Sequence, residues 1–215
     1  MDSKKVLSIT NNYRPEIDGL RAFAVIAVIA HHFNKQLLPG GYLGVDIFFV
    51  ISGYVITSSL SQKRSNNFIE FLSAFYERRI KRLLPALIVF ALVTSLAISF
   101  VNPYPKTELI IGLSSLVGLS NISLLRHTTD YFAVSAELNP FTHTWSLGVE
   151  EQFYLVFPFL IWFSGFGQKT ASGLRNLLLV VGPLAVCSLL FFIVLGNLNH
   201  SAAYYLMPSR FWELA

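Results

Sequence analysis

Residues 18–33 read DGLRAFAVIAVIAHHF, an apolar run with ionisable residues at both ends. On an α-helix that advances about 100° per residue, Arg21 and His32 differ by roughly 20° in azimuth, so they share one face about three turns apart. Asp18 joins that face at the i,i+3 spacing from Arg21. Ionisable groups within a membrane are costly and usually point towards a bundle interior or a wet cavity. The stretch therefore predicts a membrane helix whose polar stripe faces other helices.

The composition is typical of a polytopic helical membrane protein. Of the 215 residues, 53% are hydrophobic and only 13% are charged, and the mean hydropathy is +0.56. The net charge of +4 lies in short basic clusters beside apolar segments, which indicates orienting loops rather than a nucleic-acid-binding face. We therefore expect an all-α transmembrane helical bundle in a lipid bilayer, with no nucleic-acid partner. The single cysteine, Cys187, excludes an intrachain disulfide.

Apolar runs and turn signals predict five or six spans. The candidate spans are 20–33, 42–60, 83–101, a weaker Gly/Ser-rich run at 109–125, 145–163 and 174–195. Residues 61–82 are basic, so the positive-inside rule predicts that this loop and the N-terminal residues 1–16 are cytoplasmic. Residues 126–143 are polar and predict a loop or a re-entrant segment. No CxxC pair, phosphate-binding glycine loop or GxSxG elbow occurs, so we expect no metal site and no serine-hydrolase nucleophile.

Five motifs occur in order along the chain. They are Arg21 with ten residues before His32, GYLGVDIFFVISG at 41–53, RIKR at 79–82, WSLGVEEQFY at 145–154 and RFWEL at 210–214. With these motifs the chain resembles membrane-bound acyltransferase family 3, the O-acyltransferases that acylate bacterial surface glycans, antibiotics and related acceptors. An isolated arginine and histidine at this spacing would be a weak signal, whereas five ordered motifs in an apolar chain are specific.

The resemblance implies a domain of about ten spans, of which residues 1–215 are the N-terminal part and the C-terminal half is missing. It also implies an enzyme that transfers an acyl group, acetyl in the first instance, from acyl-CoA to a hydroxyl of a carbohydrate or cell-surface glycan. Acyl-CoA is then a donor substrate, and no tightly bound cofactor is expected. The expected location is the bacterial inner membrane, with the N-terminus in the cytoplasm.

Two residues are predicted to be catalytic. His32 is interpreted as a general base that takes the proton of the acceptor hydroxyl, since an imidazole titrates near neutral pH. Without the resemblance, a satisfied interior histidine is the simpler interpretation, and His31, about 100° away on the helix, is the natural control. Glu150 occupies the glutamate position of the family's Trp-Ser-Leu-x-x-Glu pattern and is predicted to orient His32 or to position the acceptor. Capping by Ser146 with acidic residues in the first turn explains part of the same pattern without catalysis.

Five further residues are predicted to bind substrate or donor. Asp18, Arg21 and Asp46 are assigned to substrate binding, although an Asp18–Arg21 structural pair, or a buried pair between Asp46 and an arginine, fits equally well. Arg79 and Arg82 match the family's Arg-x-x-Arg pattern and are assigned to the phosphates of coenzyme A. The alternative is that these arginines only orient the protein in the membrane, since cytoplasmic loops are rich in basic residues whether or not they bind a ligand.

Two other classes of function stay open at this stage. In a proton-coupled transporter, Asp18, Arg21, His32 and Asp46 would form a relay through the membrane. Such carriers are often built from inverted repeats, and none is visible in this sequence. In a non-catalytic assembly subunit, the same charges would pair with helices of a partner.

Overall fold

The computed structural model of the protein describes residues 14–62, 67–127 and 138–215. Within these ranges the chain contains no strand, so the predicted all-α class is confirmed. Two compact units divide the chain, Met1–Ile51 and Ser52–Ala215. The described helices are a short 3₁₀-helix (Gly41–Leu43), α1 (Pro15–Phe33), α2 (Gly44–Gln62), α3 (Phe68–Val101), α4 (Lys106–Ser115), α5 (Ser120–His127), α6 (Thr144–Phe163), α7 (Gly173–Leu198), α8 (His200–Tyr205) and α9 (Met207–Leu214).

The first unit is built on α1, which begins with a proline in its first turn, where the missing N–H costs no hydrogen bond. The 3₁₀-helix packs directly on this helix through glycines. A Cβ atom on Gly44 would lie 2.5 Å from the Ala24 carbonyl oxygen, and one on Gly41 would lie 2.7 Å from the His31 Cβ. Glycine at these two positions of the GYLG motif therefore lets the turn approach the α1 backbone closely.

Within the described ranges, three helices are long and apolar enough to cross a membrane. They are Gly41–Ser61, Phe68–Val101 and Gly173–Leu198, and they match three of the predicted spans. The runs 20–33 and 145–163 also form helices, α1 and α6. The protein is accordingly an integral membrane protein with a helical fold.

The weaker candidate span at 109–125 is not one helix. It is divided between α4 and α5 by Gly118, whose φ of +69° lies in the left-handed region. The Leu119 N–H donates to the Ser114 carbonyl at 2.9 Å, and the Gly118 N–H donates to the Ser115 carbonyl at 3.3 Å, which is the hydrogen-bond pattern of a Schellman motif. The prediction of a continuous span here was wrong because this glycine ends α4.

Part of the predicted basic loop 61–82 is also helical. Residues from Phe68 onwards belong to α3, whose N-cap Asn67 side chain accepts the Ile69 N–H. The 34 residues of α3 make it about 51 Å long, against a hydrocarbon core of about 30 Å. The helix therefore extends well beyond a membrane-spanning length, and its basic residues lie in the first half.

The cytoplasmic side predicted for the N-terminal and basic segments stays a prediction, and so does the loop or re-entrant segment predicted for residues 126–143. Residues 1–13 of the N-terminal segment, 63–66 of the basic segment and 128–137 of the polar segment lie outside the described residues. Of the polar segment 126–143, the described part comprises the end of α5 and a turn that leads into α6.

The core of the second unit surrounds α6. The rings of Phe153 and Phe157 stack at 4.5 Å, and both side chains are buried. Gly148 lets α5 pack closely against α6, because a Cβ atom there would lie 2.8 Å from the Asn121 Oδ1. Asn121 in turn accepts a 2.8 Å hydrogen bond from the Gln152 Nε2 and donates one of 2.9 Å to the Tyr205 carbonyl. A buried polar network thus ties α5 and α6 to α8.

The RFWEL motif forms a buried ion pair within α9. The Arg210 Nη1 lies 3.1 Å from the Glu213 Oε1, and their side chains are 4% and 3% exposed. The guanidinium lies near three rings, those of Trp145, Phe192 and Tyr204. Pairing and aromatic contact together offset the cost of removing this charge from water.

Gly53 provides a test of close packing in the second unit. A Cβ atom there would clash with the backbone carbonyl of Leu214, so α2 meets the end of α9 without room for a methyl group. We expect Gly53→Ala to destabilise the protein by about 1–3 kcal/mol, measured as a lower thermal unfolding midpoint in detergent micelles. The matched control is Gly182→Ala, where nothing lies within 4 Å and alanine is the better helix former. A Gly53→Ala variant as stable as the wild type would contradict the close contact.

Candidate active site

His32 makes a hydrogen bond that determines its tautomer. Its Nδ1 lies 2.9 Å from the carbonyl oxygen of Val28, one turn earlier in α1. Because a carbonyl oxygen only accepts, the proton of a neutral imidazole in this contact is on Nδ1, and Nε2 carries the lone pair. In a neutral His32 ring held in this way, Nε2 is the basic nitrogen.

His31 has different surroundings. Its Nδ1 lies 3.0 Å from the Leu38 carbonyl oxygen, and its ring meets the Tyr42 ring edge-on at 5.6 Å. Since both partners lie C-terminal to α1, His31 holds the following turn against the helix. The two adjacent histidines thus differ in their contacts, as their azimuths on the helix predict.

The other predicted substrate-binding residues also lie in the first unit. Arg21 and Asp18 form the expected i,i+3 pair, with Nη1 and Oδ1 3.6 Å apart and both side chains partly exposed. Asp46 lies in the first turn of α2, where a negative charge is favoured by the helix dipole. The pairing of Arg21 with Asp18 agrees with the structural alternative, and the binding roles of all three residues stay predictions.

Glu150, on α6 in the second unit, is held by two hydrogen-bond donors and one opposite charge. Its Oε1 accepts a 2.7 Å hydrogen bond from the Ser52 hydroxyl on α2, and its Oε2 accepts one of 2.9 Å from the Tyr154 hydroxyl. The Arg79 Nη2 on α3 lies 3.8 Å from the same Oε2, and both charged side chains are 16% exposed. The Arg79 guanidinium also lies 3.6 Å from the centre of the Tyr154 ring. The charge of Glu150 therefore connects α2, α3 and α6. We call this group of four residues the carboxylate cluster: Ser52, Arg79, Glu150 and Tyr154.

A cavity of 430 Å³ lies beside the carboxylate cluster. Its walls are mainly leucines, and its polar lining includes Arg79, Glu151 and Gln152. Within the described part of the chain, the Arg79 Nε and the Glu151 Oε1 are buried without a hydrogen-bond partner. Unpaired buried polar atoms are costly, so this end of the cavity favours a polar group.

The structure brings together two residues that were predicted to have separate roles, Arg79 and Glu150. Arg79 contacts Glu150, whereas Arg82, one turn later on α3, is exposed. His32 and Glu150 belong to different units, so the orientation of His32 by Glu150 stays a prediction. Among the described residues, no group of three or more His, Cys, Asp or Glu side chains is arranged to hold a metal ion.

Sequence reasoning missed three residues of the site. Ser52 and Tyr154 belong to the carboxylate cluster, and Glu151 lines the cavity. Tyr154 was detectable in principle, because it follows Glu150 by one helical turn. Ser52 lies 98 residues from its partner, and no local signal links the two.

Comparison with known proteins agrees with these motifs. The family described as "Acyltransferase domain" matches residues 14–212. The chain belongs to this acyltransferase family. The family resemblance predicted from the five motifs is thereby confirmed.

The acyltransferase relatives are bacterial proteins. O-acetyltransferase OatA of Staphylococcus aureus strain NCTC 8325 / PS 47 is 43% identical over 174 residues, which are 78% of this chain and 28% of OatA. Putative O-acetyltransferase SAS0844 of strain MSSA476 is 43% identical over 154 residues, 69% of this chain and 25% of that protein. The chain thus spans about a quarter of the length of these relatives. No solved structure matches the chain.

Ser52 tests whether the carboxylate cluster stabilises the fold. Ser52→Ala removes a donor from a charged acceptor, and we expect a loss of about 1–2 kcal/mol, measured by thermal unfolding in micelles. Ser61→Ala on the same helix is the control, since the Ser61 hydroxyl donates to the neutral Ser58 carbonyl one turn away. Equal losses of stability in the two variants would show that the hydrogen bond to Glu150 stabilises the fold no more than the local one.

Proposed function

We propose that the protein containing this chain is a membrane O-acyltransferase. It transfers an acyl group, acetyl in the first instance, from acyl-CoA to a hydroxyl of a carbohydrate or cell-surface glycan. The observation that carries the proposal is the hydrogen bond from the His32 Nδ1 to the Val28 carbonyl, in a chain of the acyltransferase family. The names of the relatives, O-acetyltransferases, support an acetyl group and an oxygen acceptor.

The proposed reaction follows from the tautomer of His32. The Nε2 lone pair takes the proton of the acceptor hydroxyl while its oxygen attacks the thioester carbonyl. A C–O bond forms, the C–S bond breaks, and the imidazolium returns the proton to the departing thiolate of coenzyme A. The Val28 carbonyl accepts from Nδ1 throughout, so it stabilises the positive ring more than the neutral one.

The donor is proposed to bind near Arg79. This guanidinium lines a cavity with leucine walls, which suits a molecule with a polar group and an apolar portion. Arg79 is proposed to contact the phosphates of coenzyme A. Arg82 does not line this cavity, and its contact with the donor stays a prediction. Glu150 then acts as a positioning residue, because it fixes the guanidinium of Arg79.

The remaining assignments concern the acceptor and the membrane. Arg21, with Asp18 and Asp46, is proposed to bind the acceptor or the developing oxyanion. The basic residues of the segment 61–82 support a cytoplasmic location for it and for the N-terminus. The bacterial inner membrane is the location consistent with a cytoplasmic acyl-CoA pool and a surface glycan as acceptor.

Substitution of His32 tests the proposed base. In membranes that contain the full-length protein and radiolabelled acetyl-CoA, we expect His32→Ala to lower label transfer to glycan by about 100-fold or more, the usual contribution of a general base. His31→Ala is the adjacent control and is expected to retain transfer. Both variants are compared at equal membrane levels of protein.

Three outcomes would contradict parts of this proposal. Equal transfer by the wild type and both variants would make His32 structural. If only His31→Ala lost transfer, the base would be His31 and the assignment to His32 would be wrong. Absence of transfer in the wild type, together with proton-dependent uptake of a solute that requires His32, would favour a transporter.

A further inference from the structure

A stripe on the outer side of α3 combines two arginines with an apolar groove. The groove has a volume of 580 Å³ and is lined by Pro85, Ala86, Val89, Phe90, Val93 and Thr94. Arg78 and Arg82 precede it at the i,i+4 spacing, and both are exposed. At about 100° per residue, the arginines and the groove residues Pro85, Ala86, Val89 and Val93 fall within a sector of roughly 100°. We call this sector the α3 stripe.

Among the described residues, the two arginines of the α3 stripe belong to no ion pair, although the charge of Glu77 acts on Arg78. Glu77 is the neighbouring carboxylate, and its Oε1 lies 2.5 Å from the Lys81 Nζ, on an adjacent face of the helix. Within the described residues, Arg78 and Arg82 form no ion pair with a carboxylate. The neighbouring arginine, Arg79, is turned towards Glu150 instead. Two adjacent guanidinium groups therefore face outwards at one end of an apolar surface.

The length of the α3 stripe matches one leaflet of a bilayer. From Arg82 to Val93 the helix rises about 16 Å, and half of the hydrocarbon core is about 15 Å. Val89 and Val93 are each 62% exposed, so the apolar part is open along its length. Side chains on a helix tilt towards its N-terminus, which directs both guanidinium groups away from the apolar part and towards the headgroup level.

We propose that the α3 stripe binds an anionic phospholipid. The phosphate accepts charge-assisted hydrogen bonds from Arg78 and Arg82, and one acyl chain lies in the groove between Pro85 and Val93. Pro85 and Ala86 carry little side chain, which leaves room for the chain where the headgroup ends. A covering protein helix would have to supply its own acids opposite both arginines, whereas a phospholipid presents phosphate and hydrocarbon in this order. The inference does not depend on the proposed acyl transfer.

The test uses a lipid that labels its own binding site. The full-length protein is reconstituted in phosphatidylcholine vesicles that contain a photoactivatable phosphatidylglycerol with the reactive group midway along an acyl chain. Labelled peptides are identified by mass spectrometry, and we expect label on residues 85–94. Removing a basic residue near the membrane surface weakens binding about fivefold, so R78Q/R82Q is expected to weaken labelling about 25-fold.

Two further variants separate the headgroup from the acyl chain. Val89→Trp fills the groove without changing the charge, and we expect it to remove the label from residues 85–94. Arg175→Gln removes an exposed arginine at the start of another apolar helix, α7, and is expected to leave that label unchanged. All variants are compared after their thermal unfolding midpoints are shown to match that of the wild type.

Several results would overturn the proposal. They are equal labelling by a photoactivatable phosphatidylcholine, unchanged labelling in R78Q/R82Q, and unchanged labelling in Val89→Trp. Displacement of the label by acetyl-CoA would assign Arg82 to the donor instead of a lipid. Absence of label on residues 85–94, with cross-links from this segment to another part of the protein, would show that protein covers the groove.

Discussion

The charge of Glu150 is the constraint on which the second unit depends. An ionised carboxylate between apolar helices is tolerated only when its oxygens are hydrogen-bonded and its charge is balanced. Ser52 and Tyr154 donate to the two oxygens, and Arg79 supplies the opposite charge. These requirements fix the rotation of α2, α3 and α6 about their axes, because a turn of any one helix would remove a hydrogen bond or the opposite charge from the buried carboxylate. Apolar packing alone would restrict the rotation of these helices less, because apolar contacts are not directional.

Close backbone approach is the second constraint, and glycine provides it. Gly53 lets α2 meet the end of α9, and Gly148 lets α5 contact α6. In lipid the hydrophobic effect does not drive helices together, so contact area and hydrogen bonds must do so, and small residues increase both. The glycines of the motifs are therefore understandable as packing positions, whatever chemistry their neighbours perform.

Local features of the fold were predictable from sequence, whereas contacts between distant segments were not. The helix that carries Asp18, Arg21 and His32 follows from a period of 3.6 residues, and their shared face follows from the same geometry. The break at Gly118 was missed because a glycine within an apolar run is compatible with a span until its φ is known. The basic residues after Phe68 were assigned to a loop because charge indicates the membrane side but does not distinguish a loop from the exposed end of a long helix.

In the candidate site, too, local geometry was predictable from sequence and contacts between distant segments were not. The tautomer of His32 depends on the Val28 carbonyl, which is a neighbour only because the residues between them are helical. The partnership of Arg79 with Glu150 joins residues 71 positions apart in sequence, and a motif search lists such residues without pairing them. Motifs therefore identified most of the ionisable residues, but their partners required the structure.

The basic motif on α3 shows why the position of a charge matters as much as its count. Arg79 is turned about 100° from Arg78 around the helix, and this turn places it against Glu150 and Tyr154. Arg78 and Arg82 remain on the outer side at the end of an apolar groove. If these arginines served only to orient the protein in the membrane, basic residues anywhere in this segment would be sufficient. The distribution of three arginines over two faces is better explained if each face has its own anion: a carboxylate of the protein inside, and a phosphate outside.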